Sequence, residues 1–106
     1  MKTLKEMQQQ VDDYIGGFKA GYFTPMENIV RLTEEVGELA REVNHVYGPK
    51  QKKLSEQQKD IGLELADNLF ILLCLANSMG IDMTESFEET MKKFEQRDYN
   101  RFERKS

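Results

Sequence analysis

An all-α fold, a small four-helix bundle, is the arrangement that this sequence of 106 residues predicts. Apolar residues recur at steps of three and four along most of the chain, and no stretch alternates apolar and polar long enough for a half-buried strand. Seven Gly and two Pro mostly fall between these periodic segments, where they punctuate helices. Before two of the segments a hydroxyl residue is followed three positions later by Glu or Gln, the pattern of a capping box. A chain of this length supports one core, so residues 1–106 are expected to form a single domain.

The first helix carries Leu4, Met7, Val11, Tyr14, Ile15 and Phe18 at helical spacing and frays or stops near Gly16-Gly17. Thr24-Pro25-Met26-Glu27 opens the second helix with a hydroxyl cap, Pro at the first helical position and Glu placed to reach back. Its apolar stripe, Ile29, Leu32, Val36, Leu39, Val43 and Val46, is expected to face the core, and Gly48-Pro49 ends it. Ser55-Glu56-Gln57-Gln58 is expected to start the third helix, which runs to about Met79 and stops at Gly80. Leu69 to Ala76 is apolar on every side, and a helix of that kind must be covered all round. Four short helices offer limited cover, so an oligomer through the third helix, a homodimer or homotetramer, is expected. Asp82 or Thr84 caps the fourth helix, whose stripe is Phe87, Met91 and Phe94.

Composition narrows the classes of function. With 39% hydrophobic and 32% charged residues the chain is too apolar for a disordered one. A net charge of -4 and a pI near 5.1 argue against a sequence-independent grip on nucleic acid. The N-terminal stretch lacks a signal-peptide pattern, and the run Leu69 to Ala76 is far short of the roughly 20 residues a bilayer span needs. Cys74 is the one cysteine and sits in that run, so a buried, inert thiol in a reducing, cytoplasmic setting is expected, without nucleic-acid or membrane partners.

On a helical wheel Glu35, Glu38 and Glu42 flank the second helix's apolar stripe, while Glu34 points away from it. Asp60, Glu64 and Asp67 line one flank of the third helix, a flank that continues as Ile71 and Leu75. Two acidic pairs spaced i,i+3, Glu35/Glu38 and Glu64/Asp67, therefore lie beside the core. Left alone they would repel and resist desolvation, and a divalent cation removes that conflict, oxygen ligands suiting Mg²⁺ or Mn²⁺. Two other readings stand beside this one. The acids can form salt bridges with Arg31, Arg41 and Lys59, or Glu42-Val43-Asn44-His45 can supply half of a di-iron site, for which His45 is the only histidine. His45 otherwise reads as a residue that meets the last carbonyls of its helix.

At these residues the chain resembles a known family. Leu32-Thr33-Glu34-Glu35-Val36-Gly37-Glu38-Leu39 followed by Glu64-Leu65-Ala66-Asp67 is similar to the E-E-x-x-E and E-x-x-D signature of the MazG-like all-α nucleoside triphosphate pyrophosphohydrolases. Lys93-Phe94-Glu95-Gln96-Arg97 resembles the family's K-F-x-x-R segment, and Tyr22-Phe23-Thr24-Pro25 its approach to the second helix. The resemblance implies Mg²⁺-dependent hydrolysis of a nucleoside triphosphate between the α- and β-phosphates. It places metal ligands at Glu35, Glu38, Glu64 and Asp67, and gives Glu34 a supporting part or the orienting of water. Asn68, where the family commonly has an apolar residue, departs from the pattern and can bind substrate or serve as a core amide.

In such an enzyme Glu34 or Glu35 would accept the proton of the attacking water. Lys93 and Arg97, one turn apart, are the expected phosphate contacts, and Lys50, Lys52 and Lys53 a possible cover. Residues 91–106 hold six Lys or Arg against three acids, and residues 1–90 nine against sixteen, so basic charge is concentrated at the C-terminal end. Tyr14, Phe18, Tyr22 and Phe23 can stack on a base or form core. A phosphoribosyl-ATP pyrophosphohydrolase and a non-catalytic oligomerisation or adaptor module remain as alternative functions.

Overall fold

The computed structural model describes residues 1–48 and 60–105. Within them the chain forms four helices, α1 (Leu4–Ile15), α2 (Pro25–Tyr47), α3 (Ile61–Ser78) and α4 (Met83–Asp98), and no strand.

Caps set most boundaries. Thr24 accepts from the Glu27 amide while the Glu27 carboxylate accepts from the Thr24 amide, the capping box expected there. Thr3 and Glu6 form a second box at the start of α1. Gly48 ends α2 because the chain passes so close to the preceding turn that a Cβ would stand 2.6 Å from the Asn44 carbonyl oxygen. The third helix starts later than expected: Asp60, in extended backbone, caps α3 through the amides of Gly62 and Leu63. Asp60 is thus a cap and not part of the acidic flank, and the Ser55–Gln58 signal lies outside the described residues. Gly80, at φ +68°, turns the chain out of α3, and Asp82 caps α4.

The core lies between α1 and α3, where Val11 packs on Leu73 and Cys74 with Met7, Ile15, Phe70 and Met83 around them. The two helices run antiparallel, since Gln8 bonds Asn77 while Tyr14 stacks edge-on against Phe70. A polar clamp closes the α3–α4 corner. The Gln8 side chain donates to Asn77 Oδ1 and the Ile81 carbonyl and accepts from the Met83 amide, and Asn77 donates to the Tyr22 hydroxyl, which donates to Asp12.

On α2 the expected core stripe is displaced. The buried residues are Asn28 (1% exposed) and Glu42 (3%), whereas Val36 is 49% exposed and Ile29, Val43 and Val46 are also open. The face that meets α3 is rotated roughly 60° from the apolar stripe toward the acidic flank. On α3 likewise Glu64 and Asn68 are buried while Leu65 is 54% exposed. The seam face of α3 thus carries buried Glu64 and Asn68 together with Ile71, while Leu65, Leu69 and Leu72 and much of the apolar stripe of α2 remain open. The Cα radius of gyration is 17.6 Å, against about 13 Å for a compact chain of this length.

By length and apolar character α3 could cross a bilayer. Here it is the central helix, packed on α1 and α2.

Candidate active site

Three carboxylates converge where α2 and α3 face each other. Glu35, Glu64 and Asp67 each offer an oxygen, and these oxygens lie within 4.8 Å of one another. Glu64 and Asp67 share a side of α3 because they are one turn apart. Glu35 joins them because the buried face of α2 passes through Asn28, Glu35 and Glu42, seven residues apart. Burial pushes the Glu35 carboxyl above its ordinary 4.5, and the charges of Glu38, Asp67 and Glu64 push it the same way while Arg31 opposes them.

Glu38 is exposed and stands outside the converging trio, near enough for its charge to act on Glu35. Glu34 is exposed as well. Asn68 spans the seam: its Nδ2 donates to the Glu64 carbonyl at 2.8 Å and to the Glu35 carbonyl at 3.4 Å. Its Oδ1 is buried and has no hydrogen-bond partner among the described residues. This oxygen-only donor set, crowded and self-repelling, fits a hard divalent cation better than iron or zinc, which favour imidazole or thiolate. His45 sits in the last turn of α2 and is not among the converging groups.

The basic candidates lie elsewhere. Lys93 and Arg97 both stack on the Phe94 ring, at 5.6 and 4.7 Å, and Arg97 pairs with Asp98 at 2.7 Å. They belong to α4, which packs on α1; among the described residues no comparable packing joins α4 to α2 or α3. Lys50, Lys52 and Lys53 lie outside the described residues. The cation that does act on Glu35 is Arg31, half-buried and stacked over Phe23 at 5.1 Å. The sequence reading gave Arg31 as one of three salt-bridge partners for the acids and did not single out Asn28. The heptad spacing of Asn28, Glu35 and Glu42 was the available signal.

The aromatic residues considered for base stacking separate. Tyr14 packs edge-on against Phe18 at 5.3 Å and Phe70 at 6.2 Å, at the lip of an open groove of about 320 Å³ that Ala66, Leu69 and Gln10 also line. Tyr22 is taken up by the clamp, and Phe23 by Arg31. Cys74 is buried, and burial pushes its thiol pKa up, as expected for an inert cysteine.

An all-α hairpin with carboxylates converging from two helices places the protein among the helical pyrophosphohydrolases. Residues 23–102 match the MazG nucleotide pyrophosphohydrolase domain, and the chain belongs to that family of enzymes. It is 54% identical over 104 residues to YpjD of Bacillus subtilis, covering 98% of this chain and 94% of that one. The crystal structure of Bacillus subtilis YpjD superposes with a TM-score of 0.81, covering 89% of this chain and 96% of that one. A second crystal structure, of a Bacillus-conserved MazG protein described as a nucleotide pyrophosphohydrolase, is 51% identical with a TM-score of 0.76, covering 89% and 90%.

Proposed function

We propose that the protein hydrolyses a nucleoside triphosphate, ribo- or deoxyribo-, between its α- and β-phosphates, releasing the monophosphate and pyrophosphate, with Mg²⁺ as cofactor and Mn²⁺ as a substitute. The observation that carries this reading is the convergence of Glu35, Glu64 and Asp67 on one point of a polar helix seam. With Glu38 beside them, these are the residues that would hold the cation. A bound dication offsets triphosphate charge and makes water a better nucleophile.

The chain's own groups divide the remaining work. Glu35, whose carboxyl is held above the usual range, is suited to take the proton of the attacking water. Glu34, facing solvent one position away, is the alternative acceptor. A covalent route through Cys74 is disfavoured by its burial. The groove beside Tyr14 and Phe70 has flat apolar walls, but it is lined by α1 and α3 alone, whereas the carboxylates converge between α3 and α2, so base recognition is not assigned to it. Buried Asn68 keeps one free acceptor, Oδ1, for a ligand at the seam.

The outward stripes of α2 and α3 support assembly with further copies, as a homodimer or homotetramer. An open apolar groove of about 500 Å³ runs along α2 beside Val36, Val43 and Tyr47. Convergence of the acids weighs against an adaptor role, which would not require it.

The test is pyrophosphate release from a panel of ribo-, deoxyribo- and modified triphosphates and phosphoribosyl-ATP, with Mg²⁺ and after chelation. Cation-dependent pyrophosphate from at least one triphosphate is expected. Turnover of phosphoribosyl-ATP alone would move the enzyme to the alternative substrate class, and no turnover of any compound would sink the reading.

A further inference from the structure

We propose that Arg31 is a phosphate-binding residue of the site, its guanidinium gripping the triphosphate from the same helix that supplies Glu35. The inference rests on the pyrophosphohydrolase reading and adds to it the group on α2 that holds the substrate's phosphates.

Arg31 stands on the same flank of α2 as the acids. It is one turn before Glu35 and two turns before Glu38, about 6 and 10 Å back along the helix and within about 40° of both on the helical wheel. Its charge acts on Glu35 and also on Cys74, six residues beyond Asn68 on α3, so the guanidinium faces the seam. The side chain is half-buried and lines an open groove of about 320 Å³ with Phe23, Met26 and Val30, which leaves it within reach of a ligand.

Its donors are open. A guanidinium carries five N–H groups, and among the described residues none of those of Arg31 meets an acceptor; its contact is the Phe23 ring, with the cation 5.1 Å from the ring centre. Arg97, by contrast, gives its fork to Asp98. Stacking on Phe23 fixes the plane of the Arg31 guanidinium and leaves its edge open beside Glu35, Glu64 and Asp67. A dication held by those three carboxylates would repel Arg31, so the two work together only on an anion that both can touch. A triphosphate is such an anion. It carries more charge than one dication offsets, and the planar fork of an arginine matches two phosphate oxygens at once.

Calorimetry on the full chain tests this with two titrations. One adds Mn²⁺ to the nucleotide-free protein, and the other adds an α,β-methylene triphosphate in the presence of Mg²⁺. Arg31→Met keeps a packed stem beside Phe23 and removes both the donors and the charge. It should weaken binding of the triphosphate analogue about 10–100-fold, while Mn²⁺ binds as tightly as to wild type or more tightly, because a charge that repels it has gone. Arg31→Lys should recover part of the lost analogue affinity, since it restores the charge without the fork. A structural ion-pair partner of the acids would not move the two titrations in opposite directions. Analogue affinity of Arg31→Met within about twofold of wild type would overturn the inference, as would Mn²⁺ and analogue weakened together. A wild type that neither cleaves a triphosphate nor binds its analogue would instead defeat the underlying pyrophosphohydrolase reading before any variant is compared.

Discussion

The side-chain amide of Asn68 crosses the α2–α3 seam to the main-chain carbonyl of Glu35, while it holds the Glu64 carbonyl within its own helix. One residue thereby sets the spacing between two carboxylate-bearing turns. Asn68→Ala should cost about 1–2 kcal/mol in urea unfolding and weaken Mn²⁺ affinity about 10–100-fold in calorimetry. A stability loss with unchanged Mn²⁺ affinity would confine Asn68 to packing.

Removing a ligand charge should separate activity from folding. Asp67→Asn or Glu38→Gln is expected to lower turnover more than about 100-fold while the metal-free protein melts at the same or a higher temperature, because each removes a repelling charge. Unfolding of both variants in chelator would point to structural ion pairs.

Glu35 gives the stability of the metal-free protein a pH dependence. Its folded pKa lies above the ordinary 4.5, so its contribution is fully present below pH 4.5 and is lost as pH rises through the folded value. In chelator, Glu35→Gln should therefore melt above wild type at neutral pH, and the gap should close below pH 4.5. A gap that is constant with pH would contradict the assignment.

Tyr22 acts at the alkaline end. Burial, with the bond to Asp12, raises its phenol from 10 to about 12. The protonated form is the one the fold favours, so that contribution is intact below pH 10 and disappears between pH 10 and about 12. Tyr22→Phe should lose about 1–2 kcal/mol at neutral pH through its two hydrogen bonds and should lack that alkaline component in denaturant titrations.

The outward apolar stripes predict a surface that tolerates charge poorly in the assembly and well in the chain. Val36→Lys or Leu69→Lys should lower the mass seen by light scattering while leaving helical circular dichroism within about 10% of wild type. An unchanged mass for both would place the interface elsewhere.

Where helices begin and end was legible in the sequence when the end carried its own signal, a side chain closing on the backbone at Thr24 and Asp82 or a glycine turning the chain away at Gly48 and Gly80. Ser55 misled because its pattern is a local match, while α3 is capped five residues later by Asp60. Helix orientation was harder to read. An apolar stripe marks a surface to be covered but does not say whether the cover comes from the same chain. Val36 and Val43 therefore pointed to a core that one chain does not form, while Glu64 and Asn68 occupy the buried seam. The acidic pairs were found from spacing, but the difference between Glu35, inside the trio, and Glu38, outside it, depends on how α2 is rotated. The packing of α4 on α1 left no local mark in Lys93 or Arg97.

The Gln8 clamp makes the first helix the aiming device of the last. A helix of sixteen residues is a lever, and a swing of about 10° at its root moves a point ten residues out by roughly 2.6 Å. That displacement is close to the whole length of a hydrogen bond. A substitution at Gln8 or Asn77, distant from the carboxylates of the α2–α3 seam, would thus redirect the basic end of the molecule without altering any residue of that end.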